Sequence, residues 1–286
     1  MTILQLSKEI GIGVDTLRIW ERRYGFPVPE RDSRGHRCYS RQTVDELRIV
    51  KTLQSLGHRP GEILALSSAE RRKLLKVFTE QQPPPNEALQ QLILILSPNQ
   101  IDWEFRGQLQ QLGLNNFIHQ FAVPLLQALD HSWTNGHINI AREHLISDRL
   151  EQLLREQLRV ERPTRANQSL LFLTLSGERH KLGLLLAAVL FHAEGLNCIL
   201  LNEELPLSEV PQLASELQVA GVALSFSCHY SSRQAKNDLT SLRNQLDPQI
   251  KLLAGGQAVE RGVKMPNLTI CTSLKQIPEI CRKLFN

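Results

Sequence analysis

The sequence predicts a multidomain chain, α in its first part and α/β in its last. Three observations carry this. Apolar residues recur at helical spacing through roughly the first 160 positions. Beyond them, short apolar runs alternate with helical stretches of a dozen or so residues. Prolines mark two breaks, Gln81-Gln82-Pro83-Pro84-Pro85-Asn86 and Glu161-Arg162-Pro163-Thr164. The expected division is a head over 1–80, a linker over 81–86, a helical bundle over 87–162 and an α/β domain over 163–286.

The 286 residues suffice for two or three domains. Hydrophobic residues at 42% and charged residues at 22% exclude a mainly disordered chain. No apolar run reaches the ~18–20 residues of a membrane span, and the first residues do not read as a signal peptide. Five scattered cysteines (Cys38, Cys198, Cys228, Cys271, Cys281) argue against a zinc cluster or a disulfide framework and fit a reducing cytoplasm. The net charge of +4 is uneven: residues 1–78 carry +6 and the remainder −2. A basic head on a slightly acidic body suits a head that meets a polyanion, although a solvated surface gives the same count.

In the head, Thr2 and Gln5 form a capping box for a helix with Ile3, Leu6 and Ile10 on one face, ended by Gly11. A second helix runs from Val14 to Tyr24 with Leu17 and Trp20 inward. Two short helices so close fit a helix-turn-helix. The arginine-rich stretch 27–39 reads as a β-hairpin wing, followed by helices over 41–56, 60–66 and 68–78, the last capped by Ser67 with Glu70. The middle segment accommodates four helices, 87–96, 98–112, 114–131 and 140–160, as a small four-helix bundle. In the last segment, apolar strands over 170–175, 196–201, 222–226, 250–253 and 268–270 imply a Rossmann-like, doubly wound parallel sheet. Ligands of such sheets sit at the carboxyl ends of the strands.

Three constellations carry chemistry. Arg18, Arg22 and Arg23 on the second helix, beside Thr16, and Arg31, Arg34 and Arg37 in the wing, beside His36 and Tyr39, suit phosphate and base contacts to double-stranded DNA, although a solvated basic helix reads the same. The string Asp15-Thr16-Leu17-Arg18-Ile19-Trp20-Glu21-Arg22-Arg23-Tyr24-Gly25, then Gly35-His36-Arg37-Cys38-Tyr39, resembles the N-terminus of MerR-family regulators, in the variant of the CarH/LitR-type branch. The resemblance implies a winged helix-turn-helix that binds operator DNA as a dimer.

The second constellation is Glu178, His180 and Gly183, placed after the first strand of the sheet. A histidine there can ligate a metal, with a carboxylate fixing its tautomer. The spacing resembles the cobalamin-binding signature (Asp or Glu)-x-His-x-x-Gly. Ser225 and Ser227 at the end of the third strand and Gly255-Gly256 at the end of the fourth match the companion motifs. The resemblance implies His180 as lower axial ligand to cobalt and the nucleotide tail threaded between sheet and helices. The third constellation is Trp133 with Glu143 and His144, similar to the W-x9-E-H signature of CarH-type bundles, where the tryptophan caps an adenosyl group and the glutamate hydrogen-bonds it. In light-sensing members a histidine follows that tryptophan; here it is Thr134, so the state after illumination is expected to differ, water-ligated or without cofactor. His131, His137 and His144 lie nearby in sequence.

The expected function is a cytoplasmic transcription regulator, a repressor, that senses adenosylcobalamin, a cobalt corrinoid, and light through Co–C cleavage and a change in a homo-oligomer, dimer or tetramer. No membrane partner and no catalysis are expected: no P-loop, GxSxG or HExxH is present. Two other readings stay open: a regulator whose vestigial cobalamin fold answers to a partner protein or another chromophore, and a corrinoid storage or delivery module. Cys228-His229 reads as a pocket wall or a redox-sensitive accident.

Overall fold

The computed structural model describes residues 1–31, 35, 37–55, 58–80, 87–95, 97–160, 168–178, 180–227, 230–260, 263 and 265–285. Both proline-marked breaks, as well as Arg34, His36, Arg179, Cys228 and His229, lie outside the described residues. Two compact units result, Met1–Leu150 and Glu151–Asn286.

The first unit opens with α1 (Ile3–Ile10), whose first turn is closed by the Thr2–Gln5 capping box and whose end is Gly11 in a left-handed conformation. Helix α2 (Val14–Tyr24) follows at once and buries Leu17 and Trp20 against Leu6 and Ile10. The wing is short: β1 (Glu30–Arg31) pairs antiparallel with β2 (Arg37–Cys38). Helices α3 (Arg41–Ser55), α4 (Pro60–Ala65) and α5 (Ser68–Glu80) complete the head. Ser67 and Glu70 cap α5 as expected: the Ser67 N–H donates to Glu70 Oε2 at 2.8 Å.

The bundle helices are α6 (Glu87–Ile95), α7 (Pro98–Asn116), α8 (Val123–Thr134) and α9 (Ile140–Gln157). The expected break near residue 113 is present, because Gly113 departs from helical geometry (φ 71°, ψ 160°) inside α7. The chain beyond it passes through a π-helical stretch, Phe117–Ala122, into α8. There Phe117 stacks on Phe121 at 5.3 Å, and Phe105 meets Phe121 edge-on at 5.5 Å.

The second unit is a five-stranded, all-parallel sheet of order β4-β3-β5-β6-β7, formed by β3 (Ser169–Leu173), β4 (Asn197–Leu200), β5 (Gly221–Ser225), β6 (Lys251–Gly255) and β7 (Leu268–Cys271). The connecting helices are α10 (Leu182–Ala193), α11 (Val210–Glu216), α12 (Ser232–Gln245), α13 (Gln257–Glu260) and α14 (Ile277–Leu284). Alternation along β3 divides the two faces. Leu171 and Leu173 join the core under α11 and α12, while Phe172 packs on Phe191 of α10 at 5.7 Å. The chain leaves β3 for β4 on one side and returns to β5 on the other. The direction of winding therefore reverses between β3 and β5, which is where a doubly wound sheet opens a crevice. Among the described residues, no helix is long and apolar enough to cross a membrane.

Candidate ligand and nucleic-acid sites

The loops after β3 and β5 meet at that crevice around one carboxylate. Glu178 is 1% exposed. Its Oε1 accepts from the His180 backbone N–H at 2.8 Å, His180 Nδ1 at 2.9 Å and Ser227 Oγ at 3.0 Å, and its Oε2 accepts from the Ser227 N–H at 2.6 Å. Burial pushes the Glu178 carboxyl up, but the bonds from His180 and Ser227 more than offset this and hold it below the usual carboxylate range. An ionised acceptor at Nδ1 keeps that nitrogen protonated. The Nε2 of His180 then carries the lone pair a metal takes, on a side chain 54% exposed. Three of the expected residues are thus brought together by hydrogen bonds that span 49 positions of sequence.

Beside this cluster lies a cavity of about 210 Å³ between the sheet and α10. Gly183 of α10 and Ser225, Gly255 and Gly256 at the strand ends line it, so four further expected residues meet at one cavity. Its lining is mostly apolar, with Ala187 and Phe191 on the helix side and Phe172 on the sheet. A Cβ placed on Gly183 would come no nearer than 4.0 Å to Ser225 Oγ, so bare backbone there leaves open space in the slot. Gly256 needs a different account from the one expected. Its φ is 96°, and a Cβ would stand 2.2 Å from the Phe226 carbonyl oxygen. The backbone of Phe226, rather than a ligand, excludes a side chain at that position. The sequence reading missed the far rim, Cys271 to Leu274 at the end of β7. The strand-end rule applied to the fifth strand was the available signal.

In the bundle, Trp133 is 6% exposed, and its Nε1 is buried without a hydrogen-bond partner. Glu143 Oε2 pairs with His144 Nδ1 at 2.6 Å, and its Oε1 accepts from Ser147 Oγ at 2.8 Å. His144 itself is exposed. Thr134 is buried, its hydroxyl 2.8 Å from that of Thr52. Burial pushes the Lys51 ammonium pKa down, opposed by Glu143 and Asp130.

In the head, Thr16, Arg18, Arg22, Arg23 and Arg37 are all exposed, the first four along α2. Arg37 also reaches Glu21 of α2 at 3.4 Å, tying wing to helix. Tyr39 is a correction. It is 2% exposed and belongs to the head's core. Its hydroxyl donates to Glu21 Oε2 at 3.4 Å, and burial together with Glu21 raises its pKa, so it steadies the wing from within instead of facing DNA.

Residues 1–70 match the MerR HTH family regulatory proteins. The HTH-type transcriptional repressor CarH of Myxococcus xanthus is 26% identical over 273 residues, 87% of this chain and 86% of that one. The HTH-type transcriptional repressor CarA of the same organism is 27% identical over 232 residues, 79% of this chain and 76% of that one. Among solved structures, the monomethylamine corrinoid protein of Methanosarcina barkeri covers 69% of this chain and 97% of its own at a TM-score of 0.49 and 13% identity. The chain carries a MerR-type helix-turn-helix domain over residues 1–70 and is similar over most of its length to the CarA and CarH transcriptional repressors.

Proposed function

We propose that this protein is a cytoplasmic, DNA-binding repressor that senses adenosylcobalamin and, through it, light. The observation that carries the reading is the Glu178–His180–Ser227 cluster beside an apolar slot at the switch point of the sheet. The donor set fits the group. A corrinoid brings its own equatorial ligands and asks the protein for one imidazole, so no cage of carboxylates and thiols is needed. Among the described residues there is none.

His180 would hold the cobalt through its Nε2, with Glu178 and Ser227 fixing its ring and tautomer. Gly183, Ser225 and Gly255 would line the passage for the nucleotide tail. Trp133, Glu143 and His144 would contribute the upper cap. When bound, adenosylcobalamin supplies a cobalt–carbon bond that light cleaves. Thr16, Arg18, Arg22, Arg23 and Arg37 would hold operator DNA, and the ligand-bound arrangement would associate as a dimer or tetramer. Moving such an equilibrium from 1:99 to 99:1 takes about 5.5 kcal/mol of differential binding, within reach of a buried ligand. The slot and the satisfied carboxylate weigh against a vestigial fold, and the basic helix weighs against a storage module.

The experiment is an absorption titration with adenosylcobalamin in the dark, followed by illumination, with size exclusion and promoter-DNA binding before and after. The expected result is a bound chromophore whose spectrum, assembly and DNA affinity all change on illumination. A protein that stays colourless would refute the cobalamin reading. A coloured protein unchanged in size and DNA affinity would refute the light switch.

A further inference from the structure

The corner of the bundle that carries Trp133 and Thr134 is covered by the head. Lys51 of α3 donates to the Ile10 carbonyl at 2.7 Å, and its ammonium lies 5.0 Å over the centroid of the Trp133 ring. The next residue, Thr52, shares a buried hydroxyl–hydroxyl hydrogen bond of 2.8 Å with Thr134. One turn earlier, Arg48 has no exposed surface and pairs with Glu9 at 2.8 Å and Asp45 at 3.3 Å. Arg48, Lys51 and Thr52 stand at i, i+3 and i+4, so a single face of α3 presents all three.

The fit is tight on both sides. A Cβ on Gly136, in the turn after α8, would lie 2.6 Å from Arg48 Nη1. One on Gly11 would lie 2.8 Å from Lys51 Nζ and 3.3 Å from Ile140 Cδ1 of α9. Head and bundle each approach the other through a residue without a side chain. A methyl group at either glycine would have to push the tip of Arg48 or Lys51 off its present partners. Burying an arginine fully is costly unless it is paired, and Glu9 and Asp45 supply the pairs under that turn.

We infer that the Trp133–Thr134–Gly136 corner is the docking site of the protein's own DNA-binding head, and that a docked head and a corrinoid capped by Trp133 exclude one another. The exclusion rests on the cobalamin reading; the docking does not. An indole 6% exposed and covered by an ammonium has no face for a second flat ligand, so capping requires α3 to leave. The inference gives Thr134 a use: its hydroxyl is the bundle's half of the anchor. Ligand binding is thereby converted into release of the head, and the head's position into a brake on ligand binding.

The test uses the full chain labelled with 5-fluorotryptophan. It gives one resonance each for Trp20, Trp103 and Trp133, the last assigned with Trp133→Phe. Lys51→Ala and Thr52→Arg should each shift the Trp133 resonance and raise its solvent isotope response. Trp20, in the head core, and Trp103, on α7, should stay where they are. A stationary Trp133 resonance in both variants overturns the docking. Should Thr52→Arg also move Trp20, the head has been damaged and Lys51→Ala decides. Titrated with adenosylcobalamin, both variants should bind about three- to tenfold tighter than the parent, which must first undock. Equal affinity overturns the exclusion. Failure of parent and variants alike to bind would overturn the cobalamin reading and the exclusion together, while the docking stands or falls on the resonance.

Discussion

Replacing Glu178 by glutamine keeps the shape of the side chain and removes its charge. In the native site four donors converge on the carboxylate, three on Oε1 and the Ser227 N–H on Oε2. An amide has one oxygen. Whichever way it is turned, its NH2 faces at least one backbone N–H in a position with almost no solvent. That donor loses a charge-assisted bond, about 1.5–3 kcal/mol, and the surviving bonds become weaker neutral ones. The expected loss is about 2–4 kcal/mol of local stability. The sign of the acid response follows from the depressed pKa of Glu178. Its contribution is fully present above the ordinary carboxylate pKa and is lost as pH falls through the depressed native value; Glu178→Gln lacks that component. A chain of two compact units need not unfold in one step, so the readout is hydrogen exchange at the loops after β3 and β5. Protection at Ser227 should fall about 30- to 1,000-fold, and adenosylcobalamin affinity about 10- to 100-fold. Parental protection at neutral pH, with an unchanged response to acid, would refute the reasoning.

Three further outcomes follow from the same geometry. At Gly183 a Cβ meets nothing nearer than 4.0 Å, so Gly183→Leu should project into the slot and binding of adenosylcobalamin should be lost while circular dichroism stays parental; retained binding would remove the slot from the site. Gly256→Ala places a methyl 2.2 Å from a carbonyl oxygen at a φ of 96°, and should destabilise the second unit by about 2–5 kcal/mol in urea, against under 1 for an ordinary glycine-to-alanine change. Arg22→Ala should weaken promoter binding and reduce the slope of log affinity against log salt by about 1, whereas an unchanged slope would take Arg22 off the phosphates.

Much of this was legible where the signal is local. Thr2, Gln5 and Gly11 specify their helix by themselves, and Val14 to Tyr24 comes out as read because a glycine lies just outside each end. The strands and their strand-end residues were legible too, since apolar runs bounded by glycine or serine have few alternatives in a parallel sheet. What failed was non-local. An exposed-looking Tyr39 is core because the N-terminus folds back on it: its backbone bonds to Met1 in both directions. Gly256 lines the slot, but only the strand pairing reveals that Phe226 also bars a side chain there. Phe117, Ile118, Phe121 and Ala122 have the spacing of an ordinary α face, so nothing in the pattern distinguishes the π-helical stretch. The covering of Trp133 by α3 joins residues 82 positions apart, beyond any periodicity.

The order of strands in the second unit has a consequence in time. The head's core is assembled from residues no later than Leu75. The slot, by contrast, takes its walls from Phe172 through Leu274, and its last wall, at the end of β7, is made about 200 residues after the head's core. At about 5–20 residues per second, a ribosome needs roughly 10–40 s to travel from the one to the other. During that interval a DNA-binding head exists on a chain that has no place for the ligand. On the proposed function, each newly made copy can therefore meet operator DNA before its slot can take a ligand.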